Sequence, residues 1–542
     1  ISVAFIPLFV GLGIDFGIQF TVRFRAEHGP ESFARAALIR AAGGMGRPLL
    51  LAATAIAVGF LAFAPTAYLG VSQLGVIAGV GMFIAVALNL TFLPALIRIL
   101  EPPPSVTTTP GARIERLDGF ILTHRRLVIG IALAAAAASA AVLPLLHFDF
   151  NPFHLENKRS EPVSTLLELM RDPDKSPNSL EIVAPSLASA DAIAAHVRTL
   201  PQVASARTLS NFVPADQGPK LAAIKDASDL LGFSLDPIAV SPPPSDVEVI
   251  ASLRSTAAAL RTAAVSHTDR TSKAALRLAD DLDWLAAAAP SVRARASTVL
   301  MPGLSVVLDE TREALSALPV SLQSLPLELI RHWRAADGQA RVSVAPRGDS
   351  NDNRLLEHFI TAVSAIYPDV AGEPIGIREG GRTIANAFIE AGVLSFIAIT
   401  LLLFAVLHRV RHVAITMAPI VLTGLLTLGS CVVIGQPLNY ANIIALPLLF
   451  GIGVAFHIYF VMAWRSGGSH LLQSSLTRAI FFSALATATG FGSLWASQHP
   501  GTASMGKLLM ISLLWTLVSA LLFQPALMGP PPAAKSDRPP TA

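Results

Sequence analysis

The residues that could do chemistry are few, and the first is a carboxylate inside an apolar run. The stretch IPLFVGLGIDFGIQFTVRFR, Ile6 to Arg25, holds Asp15 near its middle. A charged Asp at the centre of a membrane helix costs at least ~3 kcal/mol, and such residues usually face a bundle interior as proton or ion relays. The stretch recurs 440 residues later as LPLLFGIGVAFHIYFVMAWR, Leu446 to Arg465, with Pro7/Pro447, Gly11/Gly451, Gly13/Gly453, Phe16/Phe456, Phe20/Phe460 and Arg25/Arg465 in register. The copies differ in their chemistry: Ala455 stands opposite Asp15, and His457 stands where the first copy has Gly17. Two residues correspond to about 3 Å of helix, so Asp15 and His457 lie at similar depth, and such a pair would exchange a proton as one unit. Gly11 lies one turn before Asp15 and Gly453 one turn before His457, small residues of the kind that let membrane helices approach closely. Gln19, on the Asp15 face at i+4, and Tyr459 are candidate supports for the relay.

Other chemistries lack their motifs. Gly11-x-Gly13-x-x-x-Gly17 has the wrong spacing for a dinucleotide fingerprint, no GxxxxGK[ST] is present, and the thirteen histidines form no HExxH. His408 and His412 are spaced i,i+4, but they occupy a basic turn that reads as a solvated loop rather than a metal site. The single cysteine, Cys431, lies in an apolar run and excludes an internal disulfide framework and a cysteine-based zinc site. No metal, cofactor, nucleic acid or enzymatic reaction is expected.

The elements that must position Asp15 and His457 are membrane helices. Hydrophobic residues make up 52% of the 542 and charged residues 14%, with mean hydropathy +0.57, whereas soluble chains carry ~25% charged residues. Nine apolar stretches reach the ~20 residues a bilayer requires, at 1–24, 47–67, 73–100, 126–147, 387–407, 412–434, 440–464, 478–497 and 505–527. The duplication continues beyond its first helix, since Arg47/Arg478, Gly59/Gly490, Phe60/Phe491, Gly75/Gly506 and Pro94-Ala95-Leu96/Pro525-Ala526-Leu527 hold an offset of 431. Three helices are thus repeated. Arginines gather in alternate loops, at Ala26 to Gly46, Ser466 to Thr477, around residues 98–126 and at Arg409 and Arg411, which puts these loops in the cytoplasm and exports Phe148 to Ala385.

The organisation that follows is residues 1–100 closing the first repeat, 101–125 a cytoplasmic linker containing PPPSVTTTPG, 126–147 the first helix of the second repeat, 148–385 an exported domain, 386–528 five helices, and 529–542 a Pro-rich cytoplasmic tail. Within the exported domain, 179–209 and 339–377 each read as strand, helix, strand. Residues 245–335 between them read as a helical insert broken near Pro290, Pro302 and Pro319. If the halves are equivalent, about 314 residues (440 minus 126) precede Ile1, and the whole would have twelve helices and two exported domains.

This plan, with an Asp in the fourth helix of a half, resembles the resistance-nodulation-division (RND) superfamily of proton-driven exporters. The stretch Gly13 to Phe20 resembles its MMPL-type lipid exporters, and HFDFNPFHLENKRSEPVSTLLELM, His147 to Met170, with the helical insert, looks most like the hopanoid-associated members. The resemblance implies an α-helical polytopic protein of the bacterial inner membrane, with nine of twelve helices here and one periplasmic α+β porter-like domain. It implies export of a hopanoid or other polycyclic lipid driven by protons, from an assembly of several copies of the chain. The alternatives are an exporter of drugs or other hydrophobic compounds, and a non-transporting sterol-sensor-like lipid receptor. Many MMPL members carry an Asp-Tyr pair in both repeated helices. Here Asp15 is followed by Phe16 and its counterpart is Ala455-Phe456, so only Asp15, with His457 by position, is carried over. A lipid path is expected past Phe148, Phe150, Phe153 and Leu155, which follow a membrane helix directly and read equally as an interfacial aromatic belt.

Overall fold

The computed structural model describes residues 5–29, 33–104, 112–173, 175–236, 242–264, 270–468 and 470–530. Its helices before residue 148 are α1 (Phe5–Glu27), α2 (Ala34–Leu61), α3 (Leu69–Leu90), α4 (Phe92–Leu100), α5 (Ala112–Thr123) and α6 (Arg125–Val142). Residues 148–364 hold β1 (Phe148–Asp149), α7 (Glu161–Leu169), β2 (Leu180–Ala184), α8 (Leu187–Val197), β3 (Val203–Arg207), α9 (Gln217–Leu235), α10 (Asp246–Ala264), α11 (Arg270–Ala287), α12 (Pro290–Leu315), α13 (Leu327–Trp333), β4 (Ala340–Pro346) and α14 (Asn353–Ser364). There follow α15 (Glu373–Leu407), α16 (Val410–Val433), β5 (Leu438–Asn439), α17 (Ala445–Arg465), α18 (Ser475–Trp495), α19 (Pro500–Val518) and α20 (Gln524–Met528). Each of the nine apolar stretches is helical over most of its described length. Six helical spans among the described residues are long and apolar enough to cross a membrane: 34–61, 69–100, 125–145, 373–407, 410–433 and 500–528.

Several boundaries differ from the expectation. The loop read at 26–46 is helical from Ala34, because Ala37, Ala41 and Met45 recur at i+4 and are buried on one face. The linker at 101–125 contains α5; residues 105–111 of it, and 531–542 of the tail, lie outside the described residues. His412 is not in a solvated loop: it is buried in α16, with its ring edge-on to Trp464 at 5.7 Å. The second strand-helix-strand unit lacks its last strand. Glu181 and Ala371 form a single antiparallel bridge, after which Gly372 and Pro374 open α15, Pro being suited to a helix's first turn.

The chain divides into two compact units, 1–182 with 195–206 and 343–542, and 183–194 with 207–342. In the first, α1 packs on α18, α2 and α3, while α17 packs on α2, α16 and α19. Since α18 is the repeat of α2, each copy of the duplicated first helix lies against the second helix of the other copy. An aromatic stripe at i, i+4, i+8 is buried in both: Phe16, Phe20 and Phe24 in α1, Phe456, Phe460 and Trp464 in α17. The bundle's outer faces are also apolar, with Val80, Ile84 and Leu88 of α3 and Leu127, Ile131 and Leu133 of α6 exposed, a surface suited to lipid rather than water. Beyond the helices, β1 pairs in parallel with β5, Phe148 opposite Leu438, and the three-stranded sheet has the order β2-β4-β3.

The second unit is mostly helical, from α9 through α13. Its helical insert therefore begins before residue 245. Pro302 does not break it but lies inside α12. A Pro removes one backbone donor and crowds the carbonyl four residues earlier, and α12 is exposed along this stretch, so water can take up that carbonyl.

The repeated Pro-Ala-Leu triplet leaves a helix irregularity in both copies. Before Pro94 the helix breaks at Thr91. Before Pro525 it opens into a π-helical turn, Ser519–Phe523. The same missing N–H accounts for both. The repeated glycines Gly75 and Gly506 have a common cause too. A Cβ on Gly75 would lie 2.5 Å from Phe60 O, and one on Gly506 would lie 2.3 Å from Trp495 N, so both allow a helix to cross directly over the end of its predecessor. We expect Gly506→Ala to lower stability by about 1–3 kcal/mol, whereas Gly490→Ala, with open space around it, should be neutral or stabilising. Thermal unfolding in lipid nanodiscs measures this, and equal melting temperatures for the two variants would contradict the crossing argument.

Candidate functional site

Asp15 is buried, 5% exposed, in the first unit, and its carboxylate is met by donors from three helices. Ser483 Oγ of α18 donates to Oδ1 at 2.5 Å, Gln19 Nε2 one turn along α1 donates to the same oxygen at 3.4 Å, and Tyr459 Oη of α17 donates to Oδ2 at 3.4 Å. Gln19, Tyr459 and Ser483 are each 1% exposed. Three donors suit the ionised carboxylate, and protonation turns one of its oxygens into a donor, so the same set no longer matches it fully.

The expected Asp15–His457 pair is not formed. His457 is fully buried and Nδ1 lies 2.7 Å from Gln524 Oε1, while Gln524 Nε2 donates to the His457 carbonyl at 2.9 Å. With the amide NH2 so engaged, Nδ1–H is the donor to Oε1, and Nε2 has no protein partner among the described residues. The reason is rotational. Ala455 is the true counterpart of Asp15, and two residues turn a helix by about 200°, so His457 leaves the face that Ala455 presents. Tyr459, four residues after Ala455, returns to that face and is the repeat counterpart of Gln19. The glycines serve other neighbours as well: a Cβ on Gly11 would lie 3.4 Å from Thr487 of α18, and one on Gly453 3.8 Å from Thr516 of α19.

Ser483 and Gln524 escaped the sequence reading, though the repeat contains a signal for both. They stand where the first copy has Ala52 and Leu93, polar substitutions inside apolar helices, like Asp15 against Ala455.

The expected lipid-path residues are spread over several spaces, Phe148 bordering both an apolar groove and the cleft that holds Phe150. Phe148 stands edge-on to Tyr440 at 5.5 Å and lines an almost wholly apolar groove of about 510 Å3, with Phe388, Gly392, Phe396, Leu446 and Phe450. Phe150 lines a polar cleft of about 840 Å3 with Asp149, His154, Asn351 and Asn353. Leu155 lines a smaller polar pocket of about 360 Å3, and Phe153 lies in the 3-10 turn Pro152–Leu155, which Asn151 caps.

Residues 2–105 match the MMPL family model. Along 531 residues the chain is 47% identical to the hopanoid transporter HpnN of Rhodopseudomonas palustris (strain TIE-1), covering 98% of this chain and 61% of that protein. It is also 47% identical over 536 residues to the hopanoid transporter HpnN of Burkholderia multivorans (strain ATCC 17616 / 249), with the same coverage. The resemblance first carried by the Asp15 stretch thus extends along nearly its whole length, while the chain spans 61% of the length of each of these relatives.

The cleft beside Phe150 contains a titratable pair outside the membrane helices. His154 Nδ1 and Asp149 Oδ2 are 2.7 Å apart, and Asn353 Nδ2 donates to Asp149 Oδ1 at 2.6 Å. Burial alone would push Asp149 up, but the hydrogen bonds from His154, Asn353 and the Asn151 backbone outweigh it and hold the carboxyl below its usual 3.8. His154 is raised above 6.5 by its bond to Asp149, against the opposing effect of burial. The Asp149 contribution is present above 3.8 and lost as pH falls through its lowered pKa; the His154 contribution is complete below 6.5 and lost as pH rises through its raised one. Stability from this pair is therefore greatest between pH 3.8 and 6.5. Comparing melting temperatures of wild type and His154→Gln across pH tests it: the wild-type advantage should shrink above pH 6.5, and an advantage that grows there would refute the assignment.

Proposed function

We propose that the chain is the greater part of a proton-driven exporter that moves hopanoid-type lipids from the inner membrane toward the outer membrane. The observation that carries this reading is the Asp15 cluster, an ionisable group buried in an apolar bundle and bonded across both repeats. The likeness to two proteins named hopanoid transporters supports the substrate class. In this reading nine helices cross the inner membrane, the basic loops face the cytoplasm, and residues 148–385 form a periplasmic porter-like domain with a helical insert. Protons entering along the gradient neutralise Asp15, which weakens its claim on Tyr459 and Ser483 and lets α1 shift against α17 and α18. Each charge moved down 100 mV supplies ~2.3 kcal/mol. His457, with Gln524, is a second polar site within the bundle, and further copies of the chain complete the assembly.

The lipid enters through the apolar groove beside Phe148, whose volume lies within the range of small-ligand sites and whose lining suits an apolar polycycle. Gly392 lines this groove, and a Cβ there would meet no atom within 4 Å. In the full-length protein, Asp15→Asn should fold yet abolish export. Gly392→Phe should reduce export at least tenfold while leaving proton-coupled titration of Asp15 intact. Hopanoid recovered from the outer membrane at wild-type levels in the Asp15→Asn strain would overturn the proposal, and wild-type export in Gly392→Phe would overturn the groove as the path.

A further inference from the structure

A cavity of about 430 Å3 opens among the basic ends of α1, α2, α17 and α18, and its lining includes Gln19, Arg23, Gly43, Gly44, Tyr459 and Ser475. Gln19 and Tyr459 are two of the three groups bonded to Asp15, so the inner end of this cavity is one hydrogen bond away from the carboxylate. Its wall is polar where a proton or water path would need it. Gln19 Oε1 and Arg23 Nε are buried and have no protein hydrogen-bond partner among the described residues, and such atoms in native proteins are commonly satisfied by water. The volume has room for on the order of ten waters. The floor is made by adjacent glycines on α2. A Cβ on Gly43 would meet nothing within 4 Å, and one on Gly44 would rest on Arg23 Nε at 3.4 Å, so the space beside Arg23 exists because neither residue has a side chain.

We infer that this cavity is a water-filled half-channel through which Asp15 exchanges protons with the basic face of the bundle, the Tyr459 hydroxyl being the group that passes the proton between water and carboxylate and Gln19 ordering both. The inference rests on the reading of Asp15 as the proton site and adds the route to it. Gln19 accepts from water through Oε1 and donates to Asp15 through Nε2, and the Tyr459 hydroxyl bridges the cavity and Oδ2. Both are positioning residues for the carboxylate, and Tyr459 is also part of the path. Arg23, anchored to Glu27 at 2.7 Å, holds the wall open and gives water a donor.

The test uses full-length protein in proteoliposomes containing hopanoid, in a cysteine-free background that includes Cys431→Ala. Gly43→Cys should react with a membrane-impermeant thiol reagent added from the arginine-rich side and stay unreacted from the other. Gly43→Phe, at a position that lines the cavity and where a Cβ meets nothing within 4 Å, should slow proton uptake under an imposed pH gradient at least tenfold. Gly46→Phe is the control, since it lies on the same helix, also has open space, and does not line the cavity. Labelling of Gly43→Cys from the opposite side, no labelling from either side, or wild-type flux in Gly43→Phe would each overturn the half-channel. Flux retained in Asp15→Asn would instead remove the reading of Asp15 on which the inference rests. Labelling of Gly43→Cys needs no transport, so the two failures are told apart.

Discussion

A carboxylate cannot be left alone in an apolar bundle, and the arrangement of the first unit follows from what Asp15 requires. Its donors come from its own helix, from α17 and from α18, so the group is satisfied only while three helices keep their relative positions. An unpartnered charge in this setting costs several kcal/mol, far more than any one of these hydrogen bonds contributes net. A change in the protonation of Asp15 therefore acts on the packing of all three helices at once. In the proposed exporter, that is the physical link between a single titration and a movement of the bundle.

The duplication makes this link possible. Because α1 lies on α18 and α17 lies on α2, the two copies interlock crosswise, and a group in one repeat reaches side chains of the other. The aromatic stripes on α1 and α17 supply the rigid part of the contact. Gly75 and Gly506 hold the third helix of each copy against the second. Polarity has been added unequally to this symmetric frame: Asp15, Ser483, His457 and Gln524 each face an apolar or glycine counterpart in the other copy.

Much of this was legible from residue order. The repeats, the nine helical stretches, the first strand-helix-strand unit and the carboxylate buried in the helix bundle all follow from patterns of period and charge. The partner of His457 was not, because depth along a helix is easily counted while facing direction depends on which helix lies opposite. Counting two residues as 3 Å of depth ignored the 200° they turn. Tyr459, set aside as support, was on the correct face for the same reason. The extent of α15 was hidden by β-prone residues at 370–377, where Pro374 favours helix entry. The helix across Pro302 survived because its surroundings are exposed rather than packed. Ser483 looked ordinary in a helix rich in Ala, Ser and Thr, and only comparison with Ala52 marks it.

The account depends most on Asp15 being a protonatable carboxyl held by Ser483 and Tyr459 rather than a fixed structural anchor. Infrared difference spectroscopy on the full-length protein in lipid, with pH stepped across the physiological range, observes this directly. We expect a protonated-carboxyl band that grows on acidification, vanishes in Asp15→Asn, and shifts frequency in Ser483→Ala as its hydrogen bond is lost. A spectrum with no Asp15-dependent carboxyl band at any pH, or one indifferent to Ser483, would contradict the claim.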